Sequence, residues 1–455
     1  MERDKLDFGN DSIGKLFRAM FFPTLIGMVF NSVLNICDGM FVGHGVGSNA
    51  LASVNIVAPL FLVCIGIGLM FGAGASVIGS IRMAENNLKA AKIIMTQAYI
   101  AGGVIFGVIA LVCLLFTRQV LYALGCSPVL EPYATDYLLW LLPGLFFLYL
   151  QCVGMMLIRL DGSPRYAMGV QVVGAVLNIF LDWFMVYPMG MGIKGVSIAT
   201  STSCIVAGSM VLVYFLFFSS QLKFYRLKRT SKSLRLSLRN IRYMAKIGAP
   251  TFLAEITLGI TMITGNFQFI KYLGEDGVAA FSVGCYLFPI MFSISEAVAL
   301  ASQPIISFNY GAGQQDRVRR TLRISLVTAL ICGVCITCAM MFGARWLALP
   351  FLSPQVPAFA LATEGLPLLG TCAVLFAINI TFIGYYQSTE KALQSSIYTL
   401  LKGVAFLIPS FIILPRMAGV AGLWLAVPVA ELLTLTAIAA FYRGVPGASR
   451  RNPQL

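Results

Sequence analysis

Asp38 and Asp182 stand inside apolar runs long enough to cross a lipid bilayer. A carboxylate at that depth is costly unless it is paired, protonated or reached by water. A chain that keeps two of them in one half is expected to use them, and the simplest use is to take up and release a cation. Asn178 lies four positions before Asp182 and shares its helix face. Thr200, on the next apolar run, falls in the same outer half of the membrane at a rise of about 1.5 Å per helical residue. Two carboxylates, an amide and a hydroxyl are hard oxygen ligands that suit Na⁺ or a shared proton. That chemistry predicts an ion-coupled transporter.

The second half holds Glu255 and Glu296 at matching depth in the inner half of the membrane, and Glu431 near the middle of the last run. These three acids form a second candidate protonation site. Lys402 also lies within a run and is expected to snorkel its ammonium toward the basic-loop surface. Pro23 precedes Asp38 in the first run and predicts a kink there, because proline removes a helical hydrogen bond. His44, the single histidine, reads as a loop residue in VGHGVG. Cys332, Cys335 and Cys338 recur every third position without the histidine or second cysteine cluster a metal site needs, so they read as packing residues. The sequence carries no phosphate-binding loop or catalytic triad. No enzyme, no cofactor and no metal beyond Na⁺ at the coupling site are expected.

The elements that must position these residues follow from hydropathy. The 455 residues are 58% hydrophobic and 11% charged, with mean hydropathy +0.86. Soluble domains carry roughly 25% charged residues, so the chain belongs in a lipid bilayer. A span needs about 20 apolar residues. Twelve such runs are read, at 16–42, 51–80, 93–116, 133–157, 167–187, 193–218, 247–270, 278–306, 322–344, 358–387, 394–414 and 419–441. The start, MERDKLDFGNDSIGKL, lacks the basic, apolar and small-residue segments of a signal peptide.

The net charge of +14 sets topology rather than nucleic-acid binding. Of 32 Lys and Arg, 26 fall at the termini or in the even-numbered loops, which predicts both termini in the cytoplasm. The polar stretch 219–246 carries nine Lys/Arg and no acid, and splits the spans six and six. Pro23-Thr24, Ser53-Val54 and Arg165 recur at nearly constant offset as Pro250-Thr251, Ser282-Val283 and Lys391, the mark of an internal duplication. Because six is even, the two copies run in the same direction. The expected fold is all-α and integral to the membrane. Its twelve transmembrane helices form two six-helix bundles related by a pseudo-twofold axis along the membrane normal. The expected domains are 1–218, a basic cytoplasmic linker 219–246, and 247–455.

Several segments together resemble the multidrug and toxic compound extrusion (MATE) transporters. NICDGMFVGHGVGSNALASV (35–54), IRLDGSPRYAM (158–168) and LNIFLDWFMVYPMGMGIKGVSIAT (177–200) resemble family landmarks of the first half. QPIISFNYGAGQQDRVRR (303–320) and GLWLAVPVAELLTL (422–435) are similar to the MepA-like part of the DinF branch. The resemblance implies that Asp38, Asn178, Asp182 and Thr200 form the cation site of the N-terminal lobe. It matches Pro23 to a proline at which span 1 of some relatives bends, and Glu255 to a span-7 acid of another branch. That branch's span-10 aspartate is missing here. The implied activity is export of bulky, often cationic, amphipathic small molecules in exchange for H⁺ or Na⁺. The implied setting is a monomer in the bacterial cytoplasmic (inner) membrane. Asn31, Asn35, Tyr149 and Gln151 are the candidate substrate contacts. The alternative is a flippase for a lipid-linked precursor, which would want basic residues inside the central cavity to hold a pyrophosphate.

Overall fold

Inside a bilayer each backbone N–H and C=O must be satisfied within its own segment, so apolar runs close as helices. The computed structural model describes residues 6–46, 48–228 and 230–442; the side chains at 35, 36, 38–40, 42–45, 48–52 and 55 fall outside the described set. Among the described residues every regular element is helical. Helices α1 (Ile13–Gly45), α2 (Ser48–Ala84), α3 (Leu88–Leu115), the short α4 (Thr117–Ala123), α5 (Glu131–Leu160), α6 (Pro164–Val186) and α7 (Gly192–Val213) build the first half. The second is built from α8 (Ser231–Gly311), α9 (Gln315–Ala348), α10 (Pro357–Gly370), α11 (Cys372–Ser388), α12 (Ala392–Leu400) and α13 (Leu407–Phe441). Single π-turns at Tyr214–Phe218 and Leu401–Ala405 extend α7 and join α12 to α13.

Nine of these helical stretches are long and apolar enough to cross a membrane, and α10 with α11, bent by 42°, makes a tenth. Two of the nine hold two crossings each. In α8 the chain turns at Gly274 (φ 64°, ψ −152°), and in the stretch ending with α13 it turns at Gly419 (φ 58°, ψ −134°). A side chain at such angles is strained, so glycine marks both reversals. The protein is thus a twelve-span helical membrane protein. The expected separate spans 247–270 and 278–306 meet across one residue instead of a loop.

The chain divides into two compact units, one of Phe22–Phe252 and one of Asp7–Phe21 with Leu253 onward. Both divisions fall inside helices, beside Pro23 in α1 and just after Pro250 in α8. The duplicated Pro-Thr pair therefore marks where each helix passes from one unit to the other. The expected boundaries are 218/219, at the end of the π-turn, and 246/247, inside α8; the compact units divide after Phe252, because residues 231–252 seat on α2. There Gly74 and Gly248 bring α8 backbone at Met244 and α2 backbone at Met70 too close for any Cβ.

In the first unit α5 is central and packs on α2, α3 and α7, while α6 packs on α7. Tyr149 is fully buried, its hydroxyl donates to the Ala98 carbonyl at 2.6 Å, and its ring fills the space left by Gly102. Asp161, in the turn between α5 and α6, hooks the connector. Its carboxylate accepts N–H bonds from Ser220, Gln221 and Leu222 and a hydroxyl bond from Tyr214, at 2.7–2.9 Å. Residues 219–228 are thereby tied to the first unit, with Tyr225 N–H bonded to Thr96 Oγ1. From Ser231 the expected linker is already helix, held where the Gln97 amide bonds Ser237 and Asn240.

In the second unit Phe269, Phe281, Phe411 and Trp424 form a buried aromatic core, with Phe269 and Phe281 stacked at 4.5 Å. The motif FNYGAGQQDR has a mechanical role: Asn309 Nδ2 donates to the Phe8 carbonyl, and Arg317 bonds Asn309 Oδ1 and the carbonyls of Phe8 and Asp11. These bonds clamp the segment ahead of α1 onto the second unit.

Candidate functional site

Two contacts set the register of α1 against α6. Gly27 is so close to Gln171 that a Cβ would overlap its side chain, and Phe41 meets Tyr187 edge-to-face at 6.2 Å. The helices therefore run side by side in the same direction, and this register brings position 38 level with position 182. The side chains of Asp38 and Asn35 lie outside the described residues, as does that of His44, whose backbone belongs to α1 rather than to a loop.

Helix α7 supplies the third wall. It is pinned to α5 by Ser197, which donates to the Tyr137 carbonyl at 2.5 Å, and by Gly144 and Gly208, which admit Ser201 and the Phe147 backbone. That close packing turns Thr200 toward α6. Its Oγ1 donates to the Val196 carbonyl at 3.1 Å and accepts from Asn178 Nδ2 at 3.5 Å, a long and weak bond. Asn178 and Asp182 are buried, Asp182 completely. The structure bonds Asn178 to Thr200, sets Asp182 one turn along the same face of α6, and brings the backbone at position 38 level with Asp182. Their oxygens are carboxylate, amide and hydroxyl, a donor set for a small hard cation.

Pro23 lies inside α1, which is helical from Ile13 to Gly45. Of the expected substrate contacts, Asn31 is exposed, Gln151 is half-buried, and Tyr149 is enclosed in the core of the first unit by the contacts given above. Glu255 is half-buried on the first half of α8 and Glu296 is buried on the second half. Cys335 and Cys338 are exposed on α9 rather than packed inside it, with Cys332 between the two classes. Among the described residues no three His, Cys, Asp or Glu cluster as a metal site.

Glu431 has its own constellation. Lys402, on the π-turn Leu401–Ala405, does not snorkel; it is buried, with Nζ 3.0 Å from Glu431 Oε1 and 3.6 Å from the centroid of the Phe376 ring. Asn379 Nδ2 on α11 donates to Glu431 Oε2 at 2.7 Å and to its backbone carbonyl at 2.9 Å. Sequence reading missed Lys402 and Asn379 as partners of Glu431. The available signal was a lysine and a glutamate at apolar depth on consecutive spans. Asp161 was also missed, because an acid in a loop ordinarily faces water.

The MatE family pattern matches residues 23–184 and again 250–412. The chain belongs to the MatE family. The repeated match follows the internal duplication and places the Pro-Thr pair at the start of each copy. Relatives of this MatE protein include the multidrug export protein MepA of Staphylococcus saprophyticus, 25% identical over 95% of this chain and 94% of that one. MepA of Staphylococcus haemolyticus is 26% identical over 93% and 92%. Among solved structures, an outward-facing MATE transporter of the MOP superfamily superposes with TM-score 0.88 at 20% identity, over 96% of this chain and 97% of that one. A MATE transporter solved in straight and bent conformations superposes with TM-scores of 0.86 and 0.82 at 22% and 21% identity, each covering 94% of this chain. The MatE fold is thus shared along the whole chain.

Proposed function

We propose that this MatE protein is a cation-coupled antiporter that exports bulky, amphipathic, cationic small molecules by alternating access. The observation that carries the reading is the pair of buried groups Asn178 and Asp182 on one face of α6, with half-buried Thr200 bonded to Asn178 and position 38 level with Asp182. Asp38 and Asp182 supply the charge that an entering H⁺ or Na⁺ neutralises, and Asn178 and Thr200 complete the shell for Na⁺ or orient a protonated carboxyl. A cation that binds two conformations equally shifts nothing, so its occupancy must favour one of them. Helix α1 is suited to report occupancy, since it carries Asp38 at one end and passes between the two units beside Pro23. The full-length similarity to MepA supports drugs as cargo, and the acids within spans favour cationic ones. The basic loops support a reading in which both termini face the cytoplasm from the bacterial inner membrane.

Reconstituted protein tests the reading. Efflux of a lipophilic cation from proteoliposomes is expected under an imposed H⁺ or Na⁺ gradient and is expected to fall on the order of 100-fold in Asp182→Asn. Equal rates with no gradient, or an unaffected Asp182→Asn protein, would overturn it. The flippase alternative wants exposed basic groups within the spans. Lys402 is buried and already neutralised by Glu431.

A further inference from the structure

Both bundles place polar groups on corresponding helices. In the first, Asp182 is on α6 and Thr200 on α7. In the second, Lys402 is on the π-turn after α12, and Glu431 is on α13. Arg165 and Lys391 open the corresponding helices. Counted from them, Lys402 lies roughly 9 Å nearer that end of its helix than Asp182 does. Lys402 lies within the π-turn itself. Phe406 N–H bonds the Leu401 carbonyl at 2.9 Å, so the turn holds an extra residue and rotates the following face. Gly403 beside it seats against Thr257 with no room for a Cβ.

We propose that Lys402 is a tethered cation. Its ammonium occupies, at Glu431, the role that a mobile coupling ion plays at Asp182. The second bundle therefore keeps its acid neutralised through the cycle without exchanging an ion, and Lys402 fixes the number of cations the transporter carries. The proposal rests on the coupling-site reading of Asp182. Its own warrant is the closed geometry of the pair: one Glu431 oxygen on Nζ, the other on Asn379, and the ammonium covered by the Phe376 ring. Removing one partner of a buried pair leaves a charge that must find another counterion. Without the lysine, the ligands for one are at hand: the Glu431 carboxylate and Asn379 Oδ1, which is buried and accepts no hydrogen bond. The titratable neighbours acting on the pair include Cys372 from α11; Glu364 of α10 is exposed, and Glu255 sits two positions from Thr257 on a different face of its helix.

The test counts cations on purified full-length protein in detergent, by ²²Na⁺ equilibrium binding and by proton back-titration around neutral pH. Wild type is expected to bind one exchangeable cation, lost in Asp182→Asn. Lys402→Met is expected to bind two, and Lys402→Met with Asp182→Asn one. The charge-free pair Lys402→Met with Glu431→Gln keeps the volume and is expected to return to one, which serves if the single variant does not fold. An unchanged count in Lys402→Met overturns the proposal, as does a wild type with two cations of which Glu431→Gln removes one. A loss of the wild-type cation in the charge-free pair overturns it as well. An Asp182→Asn protein that retains the wild-type count refutes the coupling-site reading instead, because that variant leaves Lys402 and Glu431 untouched.

Discussion

Asp182 is fully enclosed, and its carboxylate shares a helix face with an amide one turn away. Asparagine there keeps the shape and removes the charge. Asp182→Asn is therefore expected to lower gradient-driven efflux by on the order of 100-fold while leaving the melting profile in detergent close to wild type. Asp161 has the opposite profile, because its charge holds structure rather than exchanging. Asp161→Ala removes four hydrogen bonds, three from the connector and one from Tyr214, and a loss on the order of 3 kcal/mol is expected as a lowered melting temperature. A third acid reports pH. The Asn10 side chain, with help from Gly9 and Asn10 N–H groups, holds the Asp7 carboxyl below its ordinary 3.8 despite partial burial. A lowered folded value means the stabilisation is present above the ordinary value and is lost as pH falls through the folded one. Amide protection at Gly9 and Asn10 is expected to hold down to about pH 4 and to fall below it, and Asp7→Asn is expected to abolish that dependence.

Helices were the most legible level of the sequence, and the reason is solvent. Lipid demands long apolar runs, so twelve spans can be counted from hydropathy before any contact is known. What hydropathy cannot show is how a run ends. Gly274 is a single residue between helical neighbours, and only its backbone angles reveal a reversal. Nor does it show what a buried charge meets. The Lys402–Glu431 pair joins positions on different spans, while Lys402 alone fits the habit of a snorkelling lysine. Asn178, Asp182 and Thr200 were readable because helical spacing and depth constrain them locally. At both reversals a side chain is strained while space is open. Gly274→Ala and Gly419→Ala are each expected to cost about 1–3 kcal/mol, visible in thermal unfolding. The duplicated prolines give a paired expectation. If α1 and α8 are equivalent crossings, Pro23→Ala and Pro250→Ala are both expected to impair transport, with the cation count unchanged in each.

At the scale of the molecule, two units and two shared helices would make the proposed alternating access a matter of which unit each helix end follows. Labels at Ser127 and Ser353, both exposed, in a background without Cys335 and Cys338, should give distance distributions that shift with the coupling ion. Distributions indifferent to both H⁺ and Na⁺ in active protein would sink alternating access as the mechanism.

The clamp on the N-terminal segment also constrains how the protein is made. Phe8 is bonded to Asn309, 301 positions later. At roughly 5–20 residues per second, the segment ahead of α1 leaves the ribosome on the order of 15–60 s before its docking surface exists. The first unit can pack as it emerges, since its connector is hooked by an acid already made at position 161. The beginning of the chain must wait for the second. A truncated first half would therefore carry a stranded leading segment, and supplying the second half as a separate polypeptide should recapture it. Co-expression of the two halves, with and without Asn309→Ala, would make that late closure visible as the presence or absence of a co-purifying pair.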